Sequence, residues 1–199
     1  MNKELLATPL SDRFTRALVL ASELHRTQPR KGTQIAYISH LIAVASIAIE
    51  HGATEDEAIA ALLHDAVEDQ GGRPTLESIR AEFGDEVAHI VDGCTDTDET
   101  PKPPFRERKE KYIAKIAHKN ASVLLVATAD KLHNARAILA DYREIGEPLW
   151  DRFNGGREGT LWYYRALVDA ILAVSRGRLV EELERTVAEI ENLATRAKS

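Results

Sequence analysis

The chain has 199 residues, 44% apolar and 29% charged, an ordinary balance for a globular protein in water and long enough to enclose a pocket without disulfide or metal staples. The net charge of −6 argues against a general nucleic-acid binder, and the single Cys94 excludes an intrachain disulfide. No apolar run reaches membrane-spanning length, and MNKELLATPLSDRF has no signal-peptide core, so a cytoplasmic protein is expected.

Helical signals dominate in chain order. Ser11 is placed to cap a helix running to about Arg26, with Phe14, Leu18 and Ala21 facing inward. Thr27 to Ala36, TQPRKGTQIA, holds Pro29 and Gly32 and must be a loop. A second helix should start near Ile38 and stop at Gly52, with His40 in its first turn. Thr54 and Glu57 form a capping box for a third, which should run unbroken through AALLHDAVED to Gly71-Gly72. Thr75 is expected to cap the next, ending at Phe83-Gly84, and another covers about Asp85 to Asp92.

TDTDETPKPP, from Thr95 to Pro104, reads as a mobile loop, either a solvated connector or a lid. Phe105 to Lys119 is a basic helix, and Ala121 to Leu139 a buried one, from the spacing of Leu124, Leu125, Ala129, Leu132 and Leu139. Asn154 to Gly159 is a glycine-rich turn, followed by a helix with Trp162, Tyr163 and Tyr164 near its start. The last helix runs from Leu179 to about Ala197. The expectation is an all-α fold, a single domain over 1–199 built from about eight to ten helices.

One stretch carries chemistry. At about 100° per residue, His64, Asp65, Glu68 and Asp69 gather on one side of a helix, and Ile59, Leu62, Leu63, Ala66 and Val67 take the other. Burying unpaired charge costs several kcal/mol, so such groups persist where they bind a metal or move protons. Imidazole and carboxylate without thiolate suit a divalent ion, but adjacent helical residues diverge, so His64 and Asp65 need partners from elsewhere. Asp130, inside the apolar LLVATADKLHN, is the strongest, with Asn134 one turn on as a supporting or substrate contact. His40, heading YISHLIAVA, is the fourth candidate ligand.

RKGTQIAYISH, ALLHDAVED, EFGDEVAHIVDGCTD and ADKLHNARAIL resemble, in this order and at similar spacing, the hydrolase domain of RelA/SpoT-type alarmone enzymes in the HD superfamily. The likeness covers about residues 15–145, and the length is similar to that of the small free-standing members. It implies one Mn²⁺ held by His40, His64, Asp65 and Asp130, with Zn²⁺ or Fe²⁺ left open by the donor types. The implied reaction removes the 3′-diphosphate of guanosine 3′,5′-bis(diphosphate) as pyrophosphate. Glu68 and Asp69 match the family's acidic pair, implied to orient water and carry its proton; which is the base stays open. Arg30 and Lys31 match an Arg-Lys pair implied to contact purine and phosphates.

The chain departs from the family at Ile35-Ala36-Tyr37, where the loop is longer, and at Leu41, where proline is usual. FRERKEKYIAK adds Arg106 and Lys109, beside Arg108 and Lys111, as candidate phosphate contacts, and Trp162 and Tyr163 are candidate walls for a base. Rival readings are another nucleotide phosphohydrolase, such as one acting on the 2′-phosphate of NADPH, and a sensor without turnover. The expected partner is a small nucleotide, not a nucleic acid or membrane; a homodimer stays open.

Overall fold

Residues 9–97 and 101–196 are described by the computed structural model. Among them the chain forms α1 (Asp12–Leu24), α2 (Ile38–Glu50), α3 (Glu55–Leu63), α4 (Ala66–Asp69), α5 (Arg73–Phe83), α6 (Asp85–Cys94), α7 (Phe105–Lys115), α8 (Ala121–Ile145), α9 (Gly156–Val174) and α10 (Arg178–Arg196). Short 3₁₀ turns occupy Ile116–His118 and Glu147–Arg152, and no β-strand occurs in the described residues. The all-α expectation therefore holds. No helix among these residues is long and apolar enough to cross a membrane.

The helix starts follow local chemistry. Ser11 Oγ accepts from the Arg13 N–H at 3.2 Å, Thr54 and Glu57 close a reciprocal capping box, and Asn120 Oδ1 accepts from the Val123 N–H at 2.9 Å. Gly52, beyond the end of α2, takes the left-handed conformation with φ +84, which glycine adopts without steric cost.

The core is organised around α8, against which α2, α3, α6 and α10 pack. Val123, Val126, Ala129, Leu132, Ala135 and Ile138 are all buried, so α8 is enclosed on most of its circumference. Full burial of such a valine, leucine or isoleucine contributes roughly 1.5–3 kcal/mol, which fixes α8 far more firmly than capping does. A polar side chain pointing inward from it is thus rigidly placed.

Five boundaries differ from expectation, one being the basic helix, which ends at Lys115 before the 3₁₀ turn Ile116–His118. The capping-box helix is not continuous: α3 stops at Leu63, and His64 and Asp65 form a turn before the single-turn α4. His64 Nδ1 donates to the Ala61 carbonyl at 2.8 Å, the acceptor that a continuing helix would give to the Asp65 N–H. Thr75 is not a cap, since α5 begins at Arg73 behind Gly72 and the Thr75 hydroxyl donates to the Gln70 carbonyl at 2.7 Å. Helix α8 runs past Leu139 to Ile145, its added turn carrying the buried Tyr142. The expected turn at Asn154 to Gly159 is partly helix, because α9 starts at Gly156. Residues 98–100 of the expected loop, residues 1–8 and Ala197 lie outside the described residues.

Candidate active site

The break after Leu63 has a direct effect: on a straight helix His64 and Asp65 would point about 100° apart, whereas here His64 Nε2 lies 3.1 Å from Asp65 Oδ2. Helix α2 brings His40, whose Nε2 is 3.5 Å from Asp65 Oδ2 and 3.2 Å from Asp130 Oδ1. Asp130, on α8, also approaches His64 Nε2 at 3.6 Å. Single donor atoms of His40, His64 and Asp65 all lie within 4.8 Å of one another. Two helices, α2 and α8, and the turn after α3 thus bring two imidazole nitrogens and two carboxylates to one centre.

Each candidate ligand is held from behind. His64 is pinned by the Ala61 carbonyl, and Asp65 Oδ2 accepts from the Tyr37 hydroxyl at 2.6 Å. His40 Nδ1 sits 2.7 Å from His133 Nδ1, and Asp130 accepts from Asn134 at 2.5 Å and Lys131 at 2.6 Å. With Nδ1 spent on a carbonyl, His64 must turn Nε2 to the centre. That atom is buried and has no hydrogen-bond partner despite the nearby carboxylates. An orphaned buried nitrogen among two aspartates and a second histidine fits a divalent cation, and the absence of a thiol favours a harder ion.

With no ion present, the electrostatics describe the same centre holding a proton where a cation would compete for it. Burial opposes a charge on His64, but Asp65 and Asp130 prevail and hold its pKa well above the usual value. Burial likewise opposes ionisation of Asp65, yet His64 and His40 hold it well below the carboxylate range. Asp130 is held low in the same way by Lys131 and the two histidines. Burial, then His40 and Arg30, push His133 down to about 4, so its ring is neutral at physiological pH.

Glu68 and Asp69 project from α4, beside the centre. Both line a cavity of about 440 Å³ with Asp65, Asp130, Lys31, Lys109, Lys131 and Asn134. Lys102 reaches Glu68 at 2.8 Å and Asp69 at 3.5 Å, and Gln28 donates to Asp69 at 2.9 Å. Arg108 stands 3.9 Å from Glu68 and, with Lys109, grips the buried Asp96 carboxylate. Burial pushes the Cys94 thiol at the cavity wall up to about 11, leaving it unreactive.

A second cavity of about 350 Å³ adjoins the first, sharing Lys31, Tyr37 and Asn134. Its walls add Arg30, His133, Ile138, Phe153 and Tyr164. The bridge between Pro29 and Ala36 closes the intervening loop and sets Arg30 over the Tyr37 ring, 5.8 Å from its centre, with its guanidinium donating to Asn134 Oδ1 at 2.8 Å. Lys31 donates to Asn154 at 3.0 Å. Gly32 takes φ +73, and a Cβ there would come within 2.7 Å of the Arg152 side chain, so the loop needs glycine at this point.

The structure therefore sets Asp65, Asp130, Glu68, Asp69, Lys31, Asn134 and Lys109 around the first cavity, with His40 and His64 buried against Asp65 and Asp130 and Arg30 in the second cavity. Arg106 stays apart: it is exposed, pairs with Glu110 at 2.6 Å and stacks on Trp162. Trp162 thus lines neither cavity, and Tyr163 is buried against Phe105 and Lys109. Sequence reasoning missed Tyr37, Asp96, Lys102, Lys131 and His133. Of these His133 is set aside by helical angle, which turns it about 60° from Asp130 on the side opposite Asn134, yet its ring reaches His40.

A family model for the HD domain matches residues 17–160, and the chain belongs to that family. Over 186 residues it is 36% identical to a probable GTP pyrophosphokinase of Mycobacterium leprae, covering 87% of this chain and 22% of that one. Over 119 residues it is 40% identical to the guanosine-3′,5′-bis(diphosphate) 3′-pyrophosphohydrolase MESH1 of Xenopus tropicalis, covering 58% and 64%. A solved structure of a metazoan ortholog of SpoT, described as hydrolysing ppGpp, superposes with a TM-score of 0.75 at 27% identity over 92% of this chain and 98% of the other. The chain thus spans less than two thirds of either of the first two relatives.

Proposed function

We propose that this protein is a Mn²⁺-dependent phosphohydrolase that removes the 3′-diphosphate of guanosine 3′,5′-bis(diphosphate) as pyrophosphate. The observation that carries the reading is the convergence of His40, His64, Asp65 and Asp130 beside the Glu68-Asp69 pair in one cation-lined cavity. Support comes also from the activity for which the Xenopus relative and the metazoan ortholog are named. Residues 1–199 are taken as one domain, with α9 and α10 completing the bundle through the packing of α10 on α8 and α9.

The four ligands would hold the ion, which supplies Lewis acidity toward phosphoryl oxygen and water. The remaining work falls to side chains. Lys31, Lys109 and Lys131 offset the charge of the diphosphate, while Glu68 and Asp69 orient the attacking water and take its proton. The bond between phosphorus and the ribose 3′-oxygen breaks, and that oxygen collects a proton as pyrophosphate departs. Arg30 supplies a guanidinium plane for the purine from the adjoining cavity.

A panel assay tests this. Purified protein with Mn²⁺ is offered the guanosine alarmone, its adenosine counterpart, NADPH and deoxynucleotides, and products are resolved by chromatography. Pyrophosphate from the guanosine alarmone is expected, abolished by chelator and by Glu68→Gln or Asp69→Asn. Orthophosphate from NADPH alone, or no release from any substrate, would overturn the reading.

A further inference from the structure

His133 touches the candidate metal centre through Nδ1, 2.7 Å from His40 Nδ1, and also lines the second cavity. A ligand histidine must present a lone pair, so His40, whose Nε2 is turned to Asp65 and Asp130, carries its proton on Nδ1 when neutral. That nitrogen is 2.7 Å from His133 Nδ1, and two nitrogens at this distance share one proton. His40 therefore donates and His133 accepts, which leaves the His133 proton on Nε2. His133 also lines the second cavity, and with Nδ1 committed to His40 only Nε2–H is left to donate there.

A second chain of contacts runs in parallel. Arg30, in the same cavity, donates to Asn134, which donates to Asp130. The second cavity is thus linked by hydrogen bonds to two separate candidate ligands. Its lining of Ile138, Phe153 and Tyr164 beside Arg30 suits a flat heteroaromatic ring with an acceptor at its edge.

We propose that His133 is a positioning residue with two separable tasks: Nδ1 fixes the tautomer of His40 for metal binding, and Nε2–H donates to the nucleobase in the second cavity. The first task rests on the metal reading of the centre, and the second also on the nucleotide reading given above.

Three substitutions separate them. Asn places an amide near the Nδ1 position, Gln places one near the Nε2 position, and Phe keeps the ring but neither nitrogen. Mn²⁺ affinity of the purified proteins is measured by competition with a chromogenic chelator, without substrate. GDP binding to the Mn²⁺-loaded proteins is measured by calorimetry, and circular dichroism checks helicity. His133→Phe and His133→Gln are expected to weaken Mn²⁺ by about tenfold or more, and His133→Asn by about threefold at most. GDP binding should weaken in His133→Asn and His133→Phe but persist in His133→Gln.

Native Mn²⁺ affinity in His133→Gln, or equal loss in all three variants, would overturn the tautomer role. Unchanged GDP binding in His133→Asn, or no GDP binding by the parent protein, would overturn the base contact. Failure of the parent to release pyrophosphate from the alarmone while both binding patterns hold would reject the proposed reaction and leave the role of His133 intact.

Discussion

The two sides of the first cavity are built on different terms. On the metal side, His40, His64 and Asp130 are buried, stand on or beside core helices, and each has a partner behind it from the backbone or a neighbouring side chain. On the other side, Glu68, Asp69 and Asp96 are held by Lys102, Arg108 and Lys109, which come from α7 and the segment leading into it. The first arrangement is rigid because undoing it strands buried charge. In the second, the Lys102 pairs with Glu68 and Asp69 are partly exposed, contribute little to stability and can be exchanged for a substrate's phosphates, whereas Arg108 and Lys109 are tied to the buried Asp96.

The largest expected effect comes from breaking the rigid side. Asp130→Ala removes a candidate ligand and leaves the buried Lys131 without its 2.6 Å partner. A stability loss of about 3–5 kcal/mol in denaturant melts, together with loss of bound Mn²⁺, is expected; a fully stable variant would mean that this side is not under the constraint described. Next comes Glu68→Gln, which should lower kcat about 10²–10⁴-fold while Mn²⁺ stoichiometry stays native. Loss of metal in that variant would place Glu68 with the ligands instead of with the water.

Chelation sharpens the contrast without mutation. Removing an ion present at about 100 times its Kd should cost about 2.7 kcal/mol, read as a lowered Tm with helicity unchanged at room temperature. The chelated protein should also show a distinct pH profile. The folded pKa of His64 is raised, so its stabilising contribution is complete below its unfolded value of about 6.5 and fades as pH rises through the folded value. Those of Asp65 and Asp130 are depressed, so their contributions are present above about pH 3.9 and disappear on acidification. Denaturant midpoints should therefore peak between these limits and fall toward alkaline pH, a fall that saturating Mn²⁺ should suppress. The smallest effect is reserved for the exchangeable wall. Lys102→Ala should change stability by less than about 1 kcal/mol while raising KM for the alarmone about threefold; a multi-kcal/mol loss would show that this wall is structural after all.

The same contrast explains what could be read in advance. His64, Asp65, Asp130 and His40 were legible because a polar residue in an apolar helical run announces itself, and Glu68 and Asp69 follow one turn later. The capped starts of α1 and α3 were legible from Ser11, Thr54 and Glu57. The wall was harder: FRERKEKYIAK places cations on every face of α7, and nothing in that string tells Arg108 and Lys109, which turn inward, from Arg106, which pairs with Glu110 outside. Tyr37 and Asp96 were hidden because a residue in a loop carries no periodicity from which to infer its direction.

The helix break was missed for another reason: it depends on a side chain competing with the backbone, which hydrophobic spacing does not register. That competition restricts which amino acids can stand at position 64. Aspartate or glutamate there could offer the ion an oxygen but has no N–H for the Ala61 carbonyl, so the helix would run on and carry Asp65 away from His40. Asparagine and glutamine can donate to a carbonyl but retain no comparably basic atom for the ion. Only a side chain with a donor on one edge and a strong acceptor on the other both stops the helix and binds at the stop. By this reasoning, moving the site into another helical scaffold would require transplanting the break along with the ligands.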